Sequence, residues 1–260
     1  MLDSLRCALA FLTRLPVGEA NFDGRDVGRS TAYFPVVGAL LALLELAVLA
    51  LALPRLGAMA AAVLACAAMA RLTGAFHLDA IADMADGFGG GLTRERVLEI
   101  MRDHVIGAYG AVTLILALGL RAAALAGLAS AGLGILGAWL IAASAWSRCA
   151  SAWMGWALPY ARASGQHGQK RLGAAVTDHV GRREVIVATS LAAALSLAAF
   201  ACSLDAWALP LALTLGVSLV TVAAMARLCL RRIGGVTGDT LGATTQAVEL
   251  AVLTLGLALT

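Results

Sequence analysis

Three aspartates lie close together in the sequence and suggest metal chemistry. Asp79, Asp83 and Asp86 are spaced by four and then three residues, which places them on one side of an α-helix. Carboxylates that share a helical stripe repel one another, and more strongly where the dielectric is low. The spacing therefore indicates a site for a divalent metal ion or another cation. Four of the five residues 87–91 are glycine, whose backbone N–H groups favour a bound phosphate.

The composition places this chemistry in a membrane. Of the 260 residues, 61% are hydrophobic and 13% are charged, and the mean hydropathy is +0.87. Segments near the length that crosses about 30 Å of hydrocarbon predict an all-α, polytopic membrane bundle of about seven spans in a single catalytic domain, residues 1–260. The predicted spans are 36–53, 56–76, 105–128, 133–158, 185–204, 207–230 and 244–260. Residues 2–15 predict a further amphipathic or re-entrant helix.

The distribution of Lys and Arg predicts the orientation of these spans. Basic residues precede the first span and follow the second, the fourth and the sixth, whereas the other connections carry only Arg55. Because basic residues collect on the cytoplasmic side, the N-terminus and the aspartates are expected in the cytoplasm and the C-terminus outside.

A polar segment near the C-terminal end is a second candidate. Thr237, Gly238, Asp239 and Thr240 follow a pair of glycines and could present backbone donors and one carboxylate to phosphate or metal. Taken locally, Asp239 or Thr240 is simply a helix N-cap. The predicted position on the cytoplasmic face, beside the three aspartates, favours a shared site.

Charged residues inside the predicted spans need partners. Arg148 lies deep enough to reach a metal-held phosphate, and the alternative is that it pairs with an aspartate or snorkels to lipid headgroups. Arg121 is expected to snorkel in the outer leaflet. Glu249 is expected to face the bundle interior, because an unpaired carboxylate in hydrocarbon is costly.

Two predicted cytoplasmic loops carry further candidates. One contains Arg102 and His104, and the other contains Tyr160 and Arg162. Histidine suits proton transfer near neutral pH, and arginine suits phosphate binding. Membrane topology alone explains the basic residues equally well, and an interfacial aromatic belt explains the tyrosine.

Several motifs together resemble the cobalamin synthase family, also called adenosylcobinamide-GDP ribazoletransferase. They occur in order along nearly the whole chain, which makes them stronger evidence than any one motif. The matching segments are Phe11-Leu-Thr-Arg14-Leu-Pro16, Tyr33-Phe-Pro35-Val-Val-Gly38, Gly74-Ala-Phe-His77-Leu-Asp79 through Asp83-Met-Ala-Asp86-Gly87, Arg102-Asp103 with Gly107-Ala-Tyr109-Gly110, Ser147-Arg148, Pro159-Tyr160-Ala-Arg162 and Thr237-Gly238-Asp239 with Gly242.

This resemblance implies a magnesium-dependent transferase of the bacterial inner membrane that acts in cobalamin (vitamin B12) biosynthesis. In that reaction a ribose hydroxyl of α-ribazole, or of its 5′-phosphate, attacks the phosphorus attached to cobinamide, and GMP leaves. The implied partners are these small molecules and membrane lipid, without nucleic acid, and a homo-oligomer is left open.

The resemblance also suggests roles for individual residues. The expected Mg²⁺ ligands are Asp79, Asp83, Asp86 and, less directly, Asp239. The general base is Asp86, His104 or His77, and the sequence does not choose among them. The remaining candidates bind substrate, and they are Arg14, Arg29, Arg102, Arg148, Tyr160, Arg162, Thr237 and Gly238.

Two other functions share parts of this pattern. A CDP-alcohol phosphotransferase uses the same chemistry, but its Asp-Gly-x-x-Ala-Arg signature does not occur at Asp79 or at Asp86-Gly87-Phe-Gly89. A cation-coupled transporter would use intramembrane carboxylates. The polar motifs here lie almost entirely on one predicted face, which argues against transport.

Overall fold

The computed structural model describes residues 2–17, 22–103, 105–162 and 172–260. Within these ranges the chain is mainly helical, which confirms the predicted all-α class. The helices are α1 (Leu2–Leu12), α2 (Gly24–Ser30), α3 (Phe34–Leu56), α4 (Ala58–Thr73), α5 (Phe76–Gly90), α6 (Arg94–Ile100), α7 (Ala108–Ser130), α8 (Leu133–Ala157), α9 (Leu172–His179), α10 (Arg182–Ala201), α11 (Ala208–Ile233) and α12 (Gly238–Leu259).

Six helical units in the described ranges are long and apolar enough to cross a membrane. One is α2 with α3, which continue into each other through a short 3₁₀ turn, and the others are α7, α8, α10, α11 and α12. The consecutive helices α4 and α5 would make a seventh if the pair is counted as one span. These helices confirm the predicted polytopic membrane bundle.

The second predicted span, residues 56–76, is not a continuous helix. The axes of α4 and α5 differ by 92°, because Gly74 (φ 67°) and Ala75 (φ 58°) both adopt left-handed backbone conformations. The backbone N–H of Arg14 donates to the carbonyl of Leu72 at 2.8 Å, which supports the end of α4. With 16 residues, α4 is only about 24 Å long, and the aspartate helix α5 turns across the bundle.

The central helix of the bundle is α8, which packs against α3, α10 and α12. Trp139 and Trp146 on α8 are fully buried. Small residues let the neighbouring helices come close: a Cβ at Gly38 would lie 2.4 Å from the Ser144 carbonyl oxygen, and one at Gly256 would meet the Trp139 ring.

The predicted N-terminal helix is present as α1. It buries Cys7 and Leu12 against the bundle. The ring of Phe11 stacks on Phe34 and meets Phe76 edge-on, with ring centroids 5.5 Å apart in both pairs. Because Phe76 begins α5, these contacts attach α1 to the helix that carries the aspartates.

Candidate active site

The three aspartates of α5 do not gather into one cluster. Asp79 is exposed, Asp83 is half-buried and Asp86 is buried. Seven residues separate the first from the last, about 10 Å along the helix axis, whereas an Mg–O bond is about 2.1 Å long. Among the described residues, no group of three or more His, Cys, Asp or Glu side chains is placed to hold a metal ion. The predicted single cluster is therefore not formed there.

Asp86 instead caps the N-terminus of α7. Its Oδ2 accepts a hydrogen bond from the Gly107 backbone N–H at 2.7 Å, and its Oδ1 accepts one from Gly110 at 2.8 Å. First-turn N–H groups lack partners within the helix, and a negative charge is favourable there. A Cβ at Gly110 would lie 2.3 Å from the carboxylate, so the glycine makes room for this cap. The Asp86 carboxylate therefore stabilises the start of α7, and its role as base or metal ligand stays a prediction.

Asp79 lies close to the start of α12. Helices α5 and α12 approach each other so tightly that a Cβ at Gly242 would lie 2.5 Å from the Cβ of Ala80. At this crossing the Asp79 carboxylate is near enough to Asp239 for the two groups to interact electrostatically. The structure therefore brings together one aspartate from each of the two motifs that the sequence analysis identified.

The start of α12 is capped by Thr237, not by Asp239 or Thr240. The Thr237 Oγ1 accepts the Thr240 N–H at 3.3 Å, and the Thr240 Oγ1 accepts the Thr237 N–H at 2.8 Å. This reciprocal cap leaves the Asp239 carboxylate available for other contacts. Its Oδ2 accepts hydrogen bonds from Arg162 Nη2 at 3.1 Å and from Thr237 Oγ1 at 3.3 Å.

A short backbone pairing carries Tyr160 and Arg162 to this place. The Ala161 N–H donates to the Val236 carbonyl at 2.8 Å, and the Val236 N–H donates to the Pro159 carbonyl at 2.9 Å. These bonds form a parallel bridge between the segment after α8 and the segment before α12. Two loops far apart in sequence thus meet beside Asp239.

Arg148 lies elsewhere, inside the bundle. Its Nη1 donates to Glu249 Oε2 and to Ser147 Oγ, the latter at 2.9 Å. The alternative of pairing with a carboxylate is therefore correct, although the partner is a glutamate. Glu249 is buried, as predicted.

The prediction that Arg121 snorkels to the outer leaflet is wrong. Arg121 is buried and donates through Nη1 and Nη2 to the two carboxylate oxygens of Glu45, at 2.5 and 2.7 Å. It also donates to Glu249 Oε1 from Nε at 3.1 Å and from Nη2 at 2.9 Å. Inward pairing with two carboxylates removes the need to reach the headgroups.

Comparison with known proteins identifies the family. The sequence profile described as cobalamin-5-phosphate synthase matches residues 4–258. The chain belongs to this family.

Relatives in the cobalamin-5-phosphate synthase family match over nearly their full lengths. An adenosylcobinamide-GDP ribazoletransferase of Sinorhizobium medicae is 41% identical over 256 residues, which cover 96% of this chain and 94% of the relative. Proteins with the same name from Rhizobium etli and Brucella canis are each 39% identical, over 95% and 96% of this chain and 93% and 94% of theirs. No solved structure matches the chain.

The other predicted site residues of this cobalamin-5-phosphate synthase family member are spread around the fold. The Arg14 guanidinium lies against Gly74 at the break between α4 and α5. Arg29 on α2 and Arg102 after α6 are exposed. His77 is buried on the first turn of α5, and His104 lies outside the described residues.

One arginine that the sequence analysis missed fixes the far end of α5. Arg232 Nη2 donates to the carbonyl oxygens of Phe88 and Gly91, both at 2.6 Å, and its guanidinium lies 5.7 Å from the centre of the Phe88 ring. The last carbonyls of a helix have no partner within it. The glycines after Asp86 predict that the helix ends there, but they do not predict which arginine binds its carbonyl groups.

Proposed function

We propose that this chain is an adenosylcobinamide-GDP ribazoletransferase, as its relatives are named. It would join adenosylcobinamide-GDP to α-ribazole, or to α-ribazole 5′-phosphate, and give adenosylcobalamin, or its 5′-phosphate, and GMP. This reaction assembles the nucleotide loop of cobalamin. The observation that carries the proposal is the match to the family over residues 4–258, with relatives at about 40% identity over almost the whole chain.

We place the reaction where α5, the segment after α8 and the start of α12 meet. Asp79 and Asp239 supply negative charge there, and Arg162 supplies a planar cation. The N-terminus of α12, a helix of 22 residues, adds positive backbone dipoles that favour phosphate. The carboxylates would hold a cation and the positive groups would bind phosphate oxygens, so this combination of charges suits a diphosphate with a bound cation.

The acidic residues fit a magnesium ion that is shared with substrate. Mg²⁺ is usually held by one or two carboxylates together with substrate phosphates and water, so a cluster of three carboxylates is not required. Asp79 and Asp239 would supply that pair, and Asp83 follows one turn later on α5. When bound, the ion would neutralise charge on the diphosphate. Asp86 is not included, because it caps α7.

In the proposed transfer the ribose oxygen forms a bond to the phosphorus attached to cobinamide while the bond from that phosphorus to GMP breaks. Positioning and charge stabilisation account for most of the catalysis in such transfers. Arg162 would bind phosphate oxygens and offset the charge on the departing GMP. The hydroxyl proton passes to a base, for which Asp86, His77 and His104 stay as predictions.

The proposed site faces the cytoplasm of a bacterial inner membrane. The support for this orientation is the concentration of Lys and Arg on alternate connections of the chain. Nucleotide substrates are made in the cytoplasm, so this orientation would give the site direct access to them.

Product analysis tests the proposed function. The full chain, in lipid nanodiscs, is incubated with adenosylcobinamide-GDP, α-ribazole and Mg²⁺. We expect GMP and adenosylcobalamin in equal amounts, neither product when α-ribazole is omitted, and loss of both after chelation. Absence of both products from folded protein with either α-ribazole or its 5′-phosphate would overturn the proposal.

A further inference from the structure

Four buried charges alternate across four helices in the interior of the bundle. Glu45 on α3 pairs with Arg121 on α7, which pairs with Glu249 on α12, which pairs with Arg148 on α8. All four residues are at most 6% exposed. Two positive and two negative charges cancel, so this ionic chain needs no further ion to be neutral in a low-dielectric environment.

The charges of the ionic chain balance, but one hydrogen-bond donor of Arg148 has no acceptor. An arginine has five N–H donors, and the bonds seen for Arg148 in the described ranges all come from Nη1. Its Nε is buried without a partner. A buried donor without an acceptor is destabilising, so an uncharged acceptor next to Arg148 would stabilise the fold.

A partly open cavity of about 40 Å³ lies along the ionic chain, and all four of its charged residues line it. A single water molecule needs roughly 10–15 Å³ measured in this way, so about three or four waters fit. The lining is mixed. It includes apolar residues such as Leu41 and Leu118, and polar residues that include Thr73, His77, Ser144 and Gln246 besides the ionic chain.

The broken helix provides a second, independent reason for water. The cavity reaches the break between α4 and α5, since Thr73, His77 and Leu78 line it. The first N–H groups of α5 have no partner within the helix and no side-chain cap. In a membrane protein, non-helical backbone is tolerated where it is buried in protein or lines a water-filled cavity.

We infer that this cavity is a hydrated site inside the membrane bundle, where water accepts hydrogen bonds from Arg148 and from the first turn of α5. Water suits the site because it is neutral. A phosphate would add uncompensated negative charge to the four balanced charges of the ionic chain. We therefore do not expect Arg148 to bind phosphate, which was its predicted role. The water also supports the bend that carries α5 across the bundle.

Radiolytic hydroxyl-radical footprinting of the full chain in nanodiscs tests this site, because radicals form from bound water and lipid excludes bulk water. Met69 is half-buried and lines the cavity, whereas Met225 on α11 is also half-buried and does not line it. We expect Met69 to be oxidised several-fold faster than Met225. In H₂¹⁸O the new oxygen on Met69 should carry the label.

Two charge-balanced double variants separate water at Arg148 from general loosening. Arg148→Leu with Glu249→Leu removes Arg148, the proposed donor to water, and Met69 oxidation should fall toward that of Met225. Glu45→Leu with Arg121→Leu removes the other two charged residues of the lining but keeps the Arg148–Glu249 pair, and Met69 oxidation should fall clearly less. The inference is overturned if wild-type Met69 reacts no faster than Met225, or if the first variant folds and leaves Met69 oxidation unchanged. Should the first variant fail to fold, the wild-type ratio alone decides.

Discussion

Arg121 and Glu45 form two parallel hydrogen bonds, Nη1 to Oε1 at 2.5 Å and Nη2 to Oε2 at 2.7 Å, across 76 residues of sequence. This bidentate geometry is the strongest form of an arginine–carboxylate contact. It joins α3 to α7 in the interior, and Glu249 extends it to α12. The ionic chain therefore connects α3, α7, α12 and α8 through the interior of the bundle.

Removing Arg121 should destabilise the protein strongly. Arg121→Leu leaves Glu45 without its cation, and breaking a buried ion pair in this way costs about 3–5 kcal/mol. Glu45→Leu with Arg121→Leu removes both charges and should cost clearly less. Denaturant unfolding in detergent, monitored by circular dichroism of the helices, measures the free energy of unfolding of both variants. Equal losses for the single and the double variant would contradict the ionic account.

Replacing Asp86 should affect stability and not magnesium binding. Asp86→Ala removes two charge-assisted hydrogen bonds at the start of α7, and a loss of about 1–3 kcal/mol in unfolding free energy is expected. The Mg²⁺ concentration that gives half-maximal activity should stay at the wild-type value. In contrast, Asp79→Ala should raise it. If both variants raise it alike, Asp86 is a ligand after all.

Replacing Arg232 should destabilise the protein, because Arg232 binds the C-terminal end of α5. Arg232→Gln weakens the bonds to the Phe88 and Gly91 carbonyls, with an expected cost of about 1.5–3 kcal/mol. Its neighbour Arg231 is exposed, so Arg231→Gln is a matched control and should change stability by no more than about 0.5 kcal/mol. Thermal unfolding in the same detergent compares the two, and similar effects would contradict the assigned contact.

The helical class and most of the spans follow from the sequence because they depend on local composition. Segment length and hydropathy locate α7, α8, α10 and α11 closely. The break at Gly74 and Ala75 is different, since alanine rarely adopts a left-handed conformation and local propensity therefore does not predict it. The backbone hydrogen bond from Arg14, which follows α1, to the end of α4 supports this break. A local sequence pattern does not predict such a contact.

The candidate site was predictable as a set of motifs but not as a geometry. Helical spacing places Asp79 and Asp86 on one side of α5. In the structure, however, Asp79 lies near α12 and Asp86 caps the start of α7. Which helices touch cannot be read from periodicity. The same limit explains why Arg121 was expected at the lipid headgroups when its partner Glu45 lies in a distant span.

Arg162 is expected to bind the nucleotide substrate. Arg162→Gln removes the cation next to Asp239, and because a charge-assisted hydrogen bond is lost, KM for adenosylcobinamide-GDP should rise by about tenfold or more. KM for α-ribazole should change little. Arg183 is exposed on α10, and Arg183→Gln serves as the control. Unchanged kinetics in Arg162→Gln would exclude it from the site.

The central claim is that Asp79 and Asp239 act together on the diphosphate, and the turnover of their asparagine variants tests it most directly. GMP release is measured at saturating Mg²⁺ for Asp79→Asn, Asp239→Asn and the double variant, with the exposed Asp205→Asn as control. Each single variant should lose about 100-fold or more in kcat. The double variant should lose little beyond that, because residues acting as a unit are non-additive. Folded single variants that keep kcat within a few-fold of the wild type would contradict the account.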